Sequence, residues 1–239
     1  MYSIRTEELG KSFGRAKALD GVSFDFSAGL LHGLIGSDGA GKTTTMRLLA
    51  GLLRPSAGHI RYYLDGKERP LGEVRPVMAY MPQQASLYPD LSVAEHLEFF
   101  RELYRLSPEE YRKRSAELLE ITRLGRFRER RAGQLSGGMY KKLGLMCALL
   151  QSPAALLLDE PTNGVDPISR REFWELLYGL AERKILIIVS TAYMDEAERC
   201  SRVHLLESGR LLASGEPRAV LREAGASSFE EIFIKGAAR

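Results

Sequence analysis

The segment Gly36-Ser37-Asp38-Gly39-Ala40-Gly41-Lys42-Thr43 constrains this chain more than any other. A glycine, four residues, then Gly-Lys-Thr is the spacing of a phosphate-binding loop set between a strand and a helix. Residues 30–35 before it form a near-continuous apolar run, as a central strand covered on both faces should. A helix is expected from Lys42 to about Ala50, where Gly51 stops it. The glycines let backbone amides wrap phosphates that side chains would obstruct, and the following helix points its N-terminal dipole at the same negative charge. In such a loop Lys42 meets the β- and γ-phosphates, the Thr43 hydroxyl ligates Mg2+, and Thr44 adds a phosphate contact.

Apolar strand-like runs alternate with amphipathic helical segments along the chain, which predicts an α/β fold with a largely parallel core sheet. Residues 3–13 and 22–26 alternate as half-exposed strands and are expected to pair antiparallel, forming a β subdomain. Strands are also expected at 60–64, 77–81, 155–158 and 185–189, with a hairpin at 203–214 about Ser208-Gly209. Between them Ser92 with Glu95 reads as a capping box, and Ser107-Pro108 as a second helix start. The expected architecture is therefore a P-loop NTPase core, residues 1–84 and 151–239, with an inserted helical lobe at 85–150, all in a single domain.

Two further motifs carry chemistry. Asp159 ends an apolar strand, where its carboxylate can hold Mg2+, and Glu160 follows where the chain leaves the sheet, placed to act on an attacking water as general base. Two adjacent carboxylates at a buried strand end are costly to build for structural reasons alone. The stretch Leu135-Ser136-Gly137-Gly138-Met139 opens a helix and presents a second N-terminus suited to an anion.

With these motifs in this order, the chain resembles the ATP-binding-cassette (ABC) family from about residue 4 to 234. The resemblance implies that Ser136, Gly137 and Gly138 close over the γ-phosphate of ATP held by a second ATP-binding subunit. It implies that Gln83, rather than the neighbouring Gln84, contacts Mg2+ and the attacking water and joins core to lobe. It places Phe13 against adenine and the loop Asn163-Gly164-Val165-Asp166 across the dimer interface. The segments at 88–100, 190–198 and 228–233 are similar to exporters of the drug and multidrug type. An ATPase subunit peripheral to the cytoplasmic face of the membrane follows, working with separate transmembrane permease subunits.

Three positions depart from the family pattern. Met139 stands for a usual glutamine, Ser37-Asp38 replaces a usual Pro-Asn, and Ala192 occupies the place of a histidine that touches the γ-phosphate. His32, His59, His96 and His204 lie elsewhere in the sequence.

Composition excludes some partners. A net charge of +3 is too small to imply a polyanionic partner. The arginines at 123, 126, 128, 130 and 131 have only Phe127 interleaved, so a solvated face is expected rather than a nucleic-acid surface. Cys147 and Cys200 lack metal spacing and read as inert thiols. The N-terminus, with Arg5, Glu7 and Glu8, does not read as a signal peptide. Two alternatives are an ABC ATPase acting on ribosomes or DNA, which salt-sensitive nucleic-acid binding would reveal, and a module that binds ATP but scarcely hydrolyses it, which turnover would reveal.

Overall fold

The computed structural model describes residues 1–84 and 87–237, so the first two residues of the expected lobe and the last two of the chain lie outside the described residues. In chain order, β1 (Tyr2–Phe13), β2 (Ala16–Val22), β3 (Asp25–Ser27) and β4 (Leu31–Ile35) lead to the phosphate loop and α1 (Lys42–Leu49). There follow β5 (Ala57–Leu64), β6 (Lys67–Arg69), the short α2 (Leu71–Val74) and β7 (Met78–Met81). Three helices, α3 (Val93–Leu103), α4 (Pro108–Ile121) and α5 (Gly137–Leu149), separate β7 from β8 (Ala155–Asp159). The chain ends with α6 (Pro167–Glu182), β9 (Leu186–Thr191), β10 (Arg202–Glu207), β11 (Arg210–Gly215), α7 (Pro217–Glu223) and α8 (Phe229–Ala237).

The core sheet has the order β11-β10-β4-β9-β8-β7, with every pair parallel except β10 with β11. All residues of β4, β8 and β9 are buried, which explains their unbroken apolar sequences. Successive residues of β8 serve opposite layers. Leu156 and Leu158 pack toward the helical lobe with Leu145 and Trp174, whereas Ala155 and Leu157 pack toward β1 and α1 with Ile4 and Met46. Register sets Ile35 beside Thr191 and Asp159 beside Ser190, bringing the C-terminal ends of β4, β9 and β8 together. Ligands of open α/β sheets bind at such carboxyl ends.

The second sheet, β2-β1-β5-β6 with β3 on β1, is antiparallel as expected. One detail differs: the single strand expected at 22–26 is two, β2 and β3, which pair with opposite ends of β1. The cause is a break in β1, where Glu8 adopts φ 47° and the register shifts between Leu9 and Lys11. Thr6 bridges the gap, its Oγ1 accepting from Phe24 N at 2.8 Å and donating to Val22 O at 3.3 Å.

Both capping boxes form, at Ser92 with Glu95 and at Ser107 with Glu110. The lobe is tied to α6 by Lys142 with Glu172 at 2.5 Å, by Arg123 with Glu172 at 3.7 Å, and by Arg183 with Glu117. Cys147 and Cys200 are buried, and burial pushes both thiols far above the ordinary cysteine range, in keeping with inert packing. Among the described residues no helix is long and apolar enough to cross a membrane.

Candidate active site

The loop after β4 wraps around its own lysine. Gly39 and Gly41 adopt φ 81° and 107°, conformations open to glycine. A side chain at Gly41 would also meet Ala18 O at 2.6 Å, so the loop lies hard against β2. Lys42, on the first turn of α1, is 4% exposed and donates to Gly36 O at 2.8 Å and Ser37 O at 3.0 Å. Its third partner is Glu160, Nζ to Oε1 3.0 Å.

Glu160 leaves β8 at φ 45°, a backbone conformation uncommon outside glycine. Its amide bonds Ser190 Oγ at 3.0 Å and Ser190 O at 3.1 Å, which holds the turn. That geometry directs the carboxylate to the cleft, where Gln83 Nε2 donates to Oε2 at 2.7 Å and Asn163 Nδ2 donates at 3.2 Å. Asp159 is fully buried and accepts from Thr43 Oγ1 at 3.2 Å, Ser190 Oγ at 2.6 Å and Tyr80 OH at 3.2 Å. Burial, with the Asp159 charge second, raises the Tyr80 hydroxyl to about 12, so Tyr80 stays a donor at neutral pH.

Ala18, Asp38, Gly39, Gly41, Lys42, Thr43, Thr44, Gln83 and Glu160 line one cleft of about 310 Å³. The sequence motifs at 36–44, 83 and 159–160 therefore converge, although more than a hundred residues separate the first from the last. Asp38 Oδ1 lies 3.9 Å from Lys42 Nζ, yet its side chain is 94% exposed, so it stands at the rim. Phe13 sits at the turn end of the β1–β2 hairpin, 52% exposed, with Lys11 Nζ 5.1 Å from its ring centroid.

The Ser136 turn is not part of this cleft. Ser136 caps α5 by accepting from Met139 N at 3.3 Å, and Gly138 packs so tightly on Ser169 of α6 that a side chain there would collide. Asp166, accepting from Ile168 N and Ser169 N, caps α6 beside it. The turn is thus braced by the 163–169 segment of its own chain.

Sequence reasoning missed Tyr80, Ser190 and Lys141. Lys141 donates from Nζ to Gln83 O at 2.8 Å. A signal existed for Ser190, the polar residue ending the Ile187-Ile188-Val189 run of a fully buried strand. None of the four histidines lines the cleft. His32 and His204 face each other under the sheets, Nδ1 to Nε2 3.2 Å, and His96 bonds Ser92 O and Tyr88 N.

This arrangement, a lysine-filled phosphate loop facing two strand-end carboxylates with a separate Ser-Gly-Gly helix start, is the cassette type of P-loop ATPase. The sequence model of the ABC transporter family matches residues 19–163, and the chain belongs to that family. It is 48% identical over 202 residues to the "Probable multidrug ABC transporter ATP-binding protein YbhF" of Escherichia coli (strain K12), covering 84% of this chain but 35% of that protein. The chain thus spans about a third of that relative's length. It is 38% identical to the Nod factor export ATP-binding protein I of Paraburkholderia xenovorans (strain LB400), over 97% of this chain and 76% of that one. Among solved structures, the dimeric structure of MJ0796, a bacterial ABC transporter cassette, matches with TM-score 0.78 and 27% identity, over 90% of this chain and 99% of that one.

Proposed function

We propose that this chain, as one ABC ATP-binding domain with its helical lobe at 85–150, binds and hydrolyses ATP to power an exporter from the cytoplasmic face of a membrane. The observation that carries the reading is the division of the site. Lys42, Thr43 and Glu160 line one cleft with Asp159 bonded to Thr43 behind them, while the Ser136 helix start stands outside it, so the two halves meet on one nucleotide only when two subunits pair head to tail. Both the similarity to a cassette solved as a dimer and the export and multidrug relatives support this.

In this reading the amides of the Gly36–Gly41 loop and Lys42 hold the phosphates, and Phe13 offers its exposed face to adenine. Thr43 Oγ1 and Asp159 Oδ1, 3.2 Å apart, are hard oxygen donors of the kind Mg2+ takes, and Gln83 completes the candidate set. The ion would supply charge neutralisation across the β- and γ-phosphates. Glu160 takes the proton of the attacking water, with Gln83 fixing its orientation. ATP closes the dimer, hydrolysis reopens it, and the cycle is delivered to permease subunits.

Light scattering of the Glu160→Gln protein with MgATP tests the reading. A dimer is expected, and adding Ser136→Arg should abolish it while monomer ATP binding persists. A Glu160→Gln protein that stays monomeric with bound ATP would overturn the composite site. The second reading, a module that binds ATP and pairs but scarcely hydrolyses it, is favoured by one observation, the alanine at 192.

A further inference from the structure

The helix that begins at the Ser136 turn also grips the loop that carries Gln83. Tyr140 and Lys141 are neighbours in the first turns of α5. Tyr140 OH meets both backbone polar groups of Leu87, at 3.2 Å to N and 3.4 Å to O. Lys141 Nζ donates to Gln83 O at 2.8 Å. The two ends of the 83–87 connection are thus fastened to one rigid element. Gln83 in turn donates from its side chain to Glu160 Oε2 at 2.7 Å.

Lys141 is half-buried, and its ammonium crosses from lobe to loop at Gln83 itself. Its hydrogen bond to a carbonyl in a partly desolvated site is charge-assisted, hence stronger than a neutral pair. A carbonyl held in this way fixes the peptide plane from which the Gln83 side chain departs. Lys141 lies five positions after Ser136, a rise of about 7.5 Å, so a shift of the Ser136 turn moves Lys141 with it as one body.

We propose that Lys141 is a positioning residue for ATP hydrolysis: by anchoring the Gln83 carbonyl to α5 it fixes the contact between the Gln83 amide and Glu160. Seating of the helix that starts at Ser136 therefore sets the geometry of the base on the same subunit. This rests on the reading of Glu160 as general base. Lys141 is not among the residues that line the cleft, and although the charges of Glu160 and Asp159 reach its ammonium, its hydrogen bond goes to Gln83 rather than to the phosphate loop, so the larger effect is expected on turnover.

The test compares MgATP turnover of the unmodified protein with that of Lys141→Met, which keeps the aliphatic stem and removes the donor. On the order of tenfold lower kcat is expected, with KM for MgATP within twofold, the size of effect a lost positioning contact commonly has. Lys141→Arg, which retains a donor, should recover most of the rate. In a Gln83→Ala background Lys141→Met should cost less than a further twofold, because its effect passes through Gln83. Lys141→Gln, polar but too short to reach the carbonyl, repeats the measurement should the methionine variant melt early. Unchanged kcat in both short-reach variants overturns the proposal, as does a full tenfold loss added on top of Gln83→Ala. Glu160→Gln run in parallel separates the two levels: turnover that survives it overturns the base assignment and the proposal with it, whereas a dead Glu160→Gln beside a Lys141→Met of unchanged kcat overturns the proposal alone.

Discussion

Lys42 and Glu160 form an ion pair across the cleft, Nζ to Oε1 3.0 Å, with side chains only 4% and 6% exposed. A charge pair so withdrawn from water is stable only where further hydrogen bonds satisfy both partners. Here they do: two loop carbonyls bond the ammonium, and Gln83 and Asn163 bond the carboxylate. The same lysine that would neutralise phosphate is therefore held in place by the residue proposed to activate water.

Lys42→Ala should remove most MgATP affinity, on the order of a hundredfold for a lost charged contact of ~3 kcal/mol, and all turnover. Glu160 keeps its two amide donors, so the protein should still fold, with a lowered melting temperature. Calorimetric titration with MgATP beside thermal denaturation separates the two effects. Unchanged affinity in the folded variant would sink the phosphate-loop assignment.

Glu196 is fully buried and accepts from Thr162 Oγ1 at 2.9 Å, Trp174 Nε1 at 3.0 Å and Arg170 Nη2 at 3.0 Å. It joins the loop after β9, α6 and the loop after Glu160. Glu196→Ala would leave buried donors without their acceptor and should cost about 3–5 kcal/mol of stability. Glu196→Gln, which keeps one acceptor oxygen, should cost roughly half as much. Urea unfolding midpoints decide; a loss below about 1 kcal/mol for the alanine variant would mean the hub relaxes.

The motifs at 36–44 and 159–160 were legible because their chemistry demands residue types and spacings that few other structures need. Helix starts at Ser92 and Ser107 were legible because a cap is a local interaction, and both form. The split of residues 22–26 into two strands was not, because it depends on Thr6 bonding across the gap from another strand. Tyr80 and Lys141 escaped for a similar reason. A tyrosine in a strand and a lysine in a helix look ordinary until tertiary structure sets them 3.2 Å from Asp159 and 2.8 Å from Gln83 O.

Acid should destabilise the fold through the buried His32–His204 pair. Ser27 N reaches His32 Nε2 at 3.1 Å and Ser214 Oγ reaches His204 Nδ1 at 2.8 Å, an arrangement consistent with both rings neutral and protonated at Nδ1. Burial lowers His32 to about 4 and His204 to about 3. The unfolded chain, with ordinary imidazoles near 6.5, binds more protons below that pH, so folded stability is full above it and declines as pH falls toward 4. Each ring contributes a slope approaching about 1.4 kcal/mol per pH unit. His204→Asn should flatten the dependence of urea stability between pH 6.5 and 5 by about half. An unchanged slope would show that other groups govern it.

Ala192 should make this subunit's own ATP site slow without silencing it. Position 192 follows β9 directly, where Thr191 O accepts from Gly36 N at 3.3 Å and Ser190 holds the Glu160 turn, so it lies beside both the phosphate loop and the base. The Thr191 hydroxyl accepts from Tyr193 N at 3.0 Å and keeps its own hydrogen to donate, so it can recover part of the missing contact. In the proposed reading Glu160 remains as base, and Lys42 with a partner's Ser136 turn would still stabilise charge on the transferring phosphoryl group. What is missing is a polar group to hold the γ-phosphate and water in line, a positioning contribution commonly worth ~3 kcal/mol, or on the order of a hundredfold in rate. Ala192→His should therefore raise single-site turnover severalfold or more while leaving MgATP affinity within about twofold, because the phosphate loop is untouched. Steady-state hydrolysis and nucleotide titration on the same dimeric preparation measure both. Flat turnover in a well-folded Ala192→His dimer would mean that another group already fills the role or that chemistry does not limit the cycle, and this account of the site would fall.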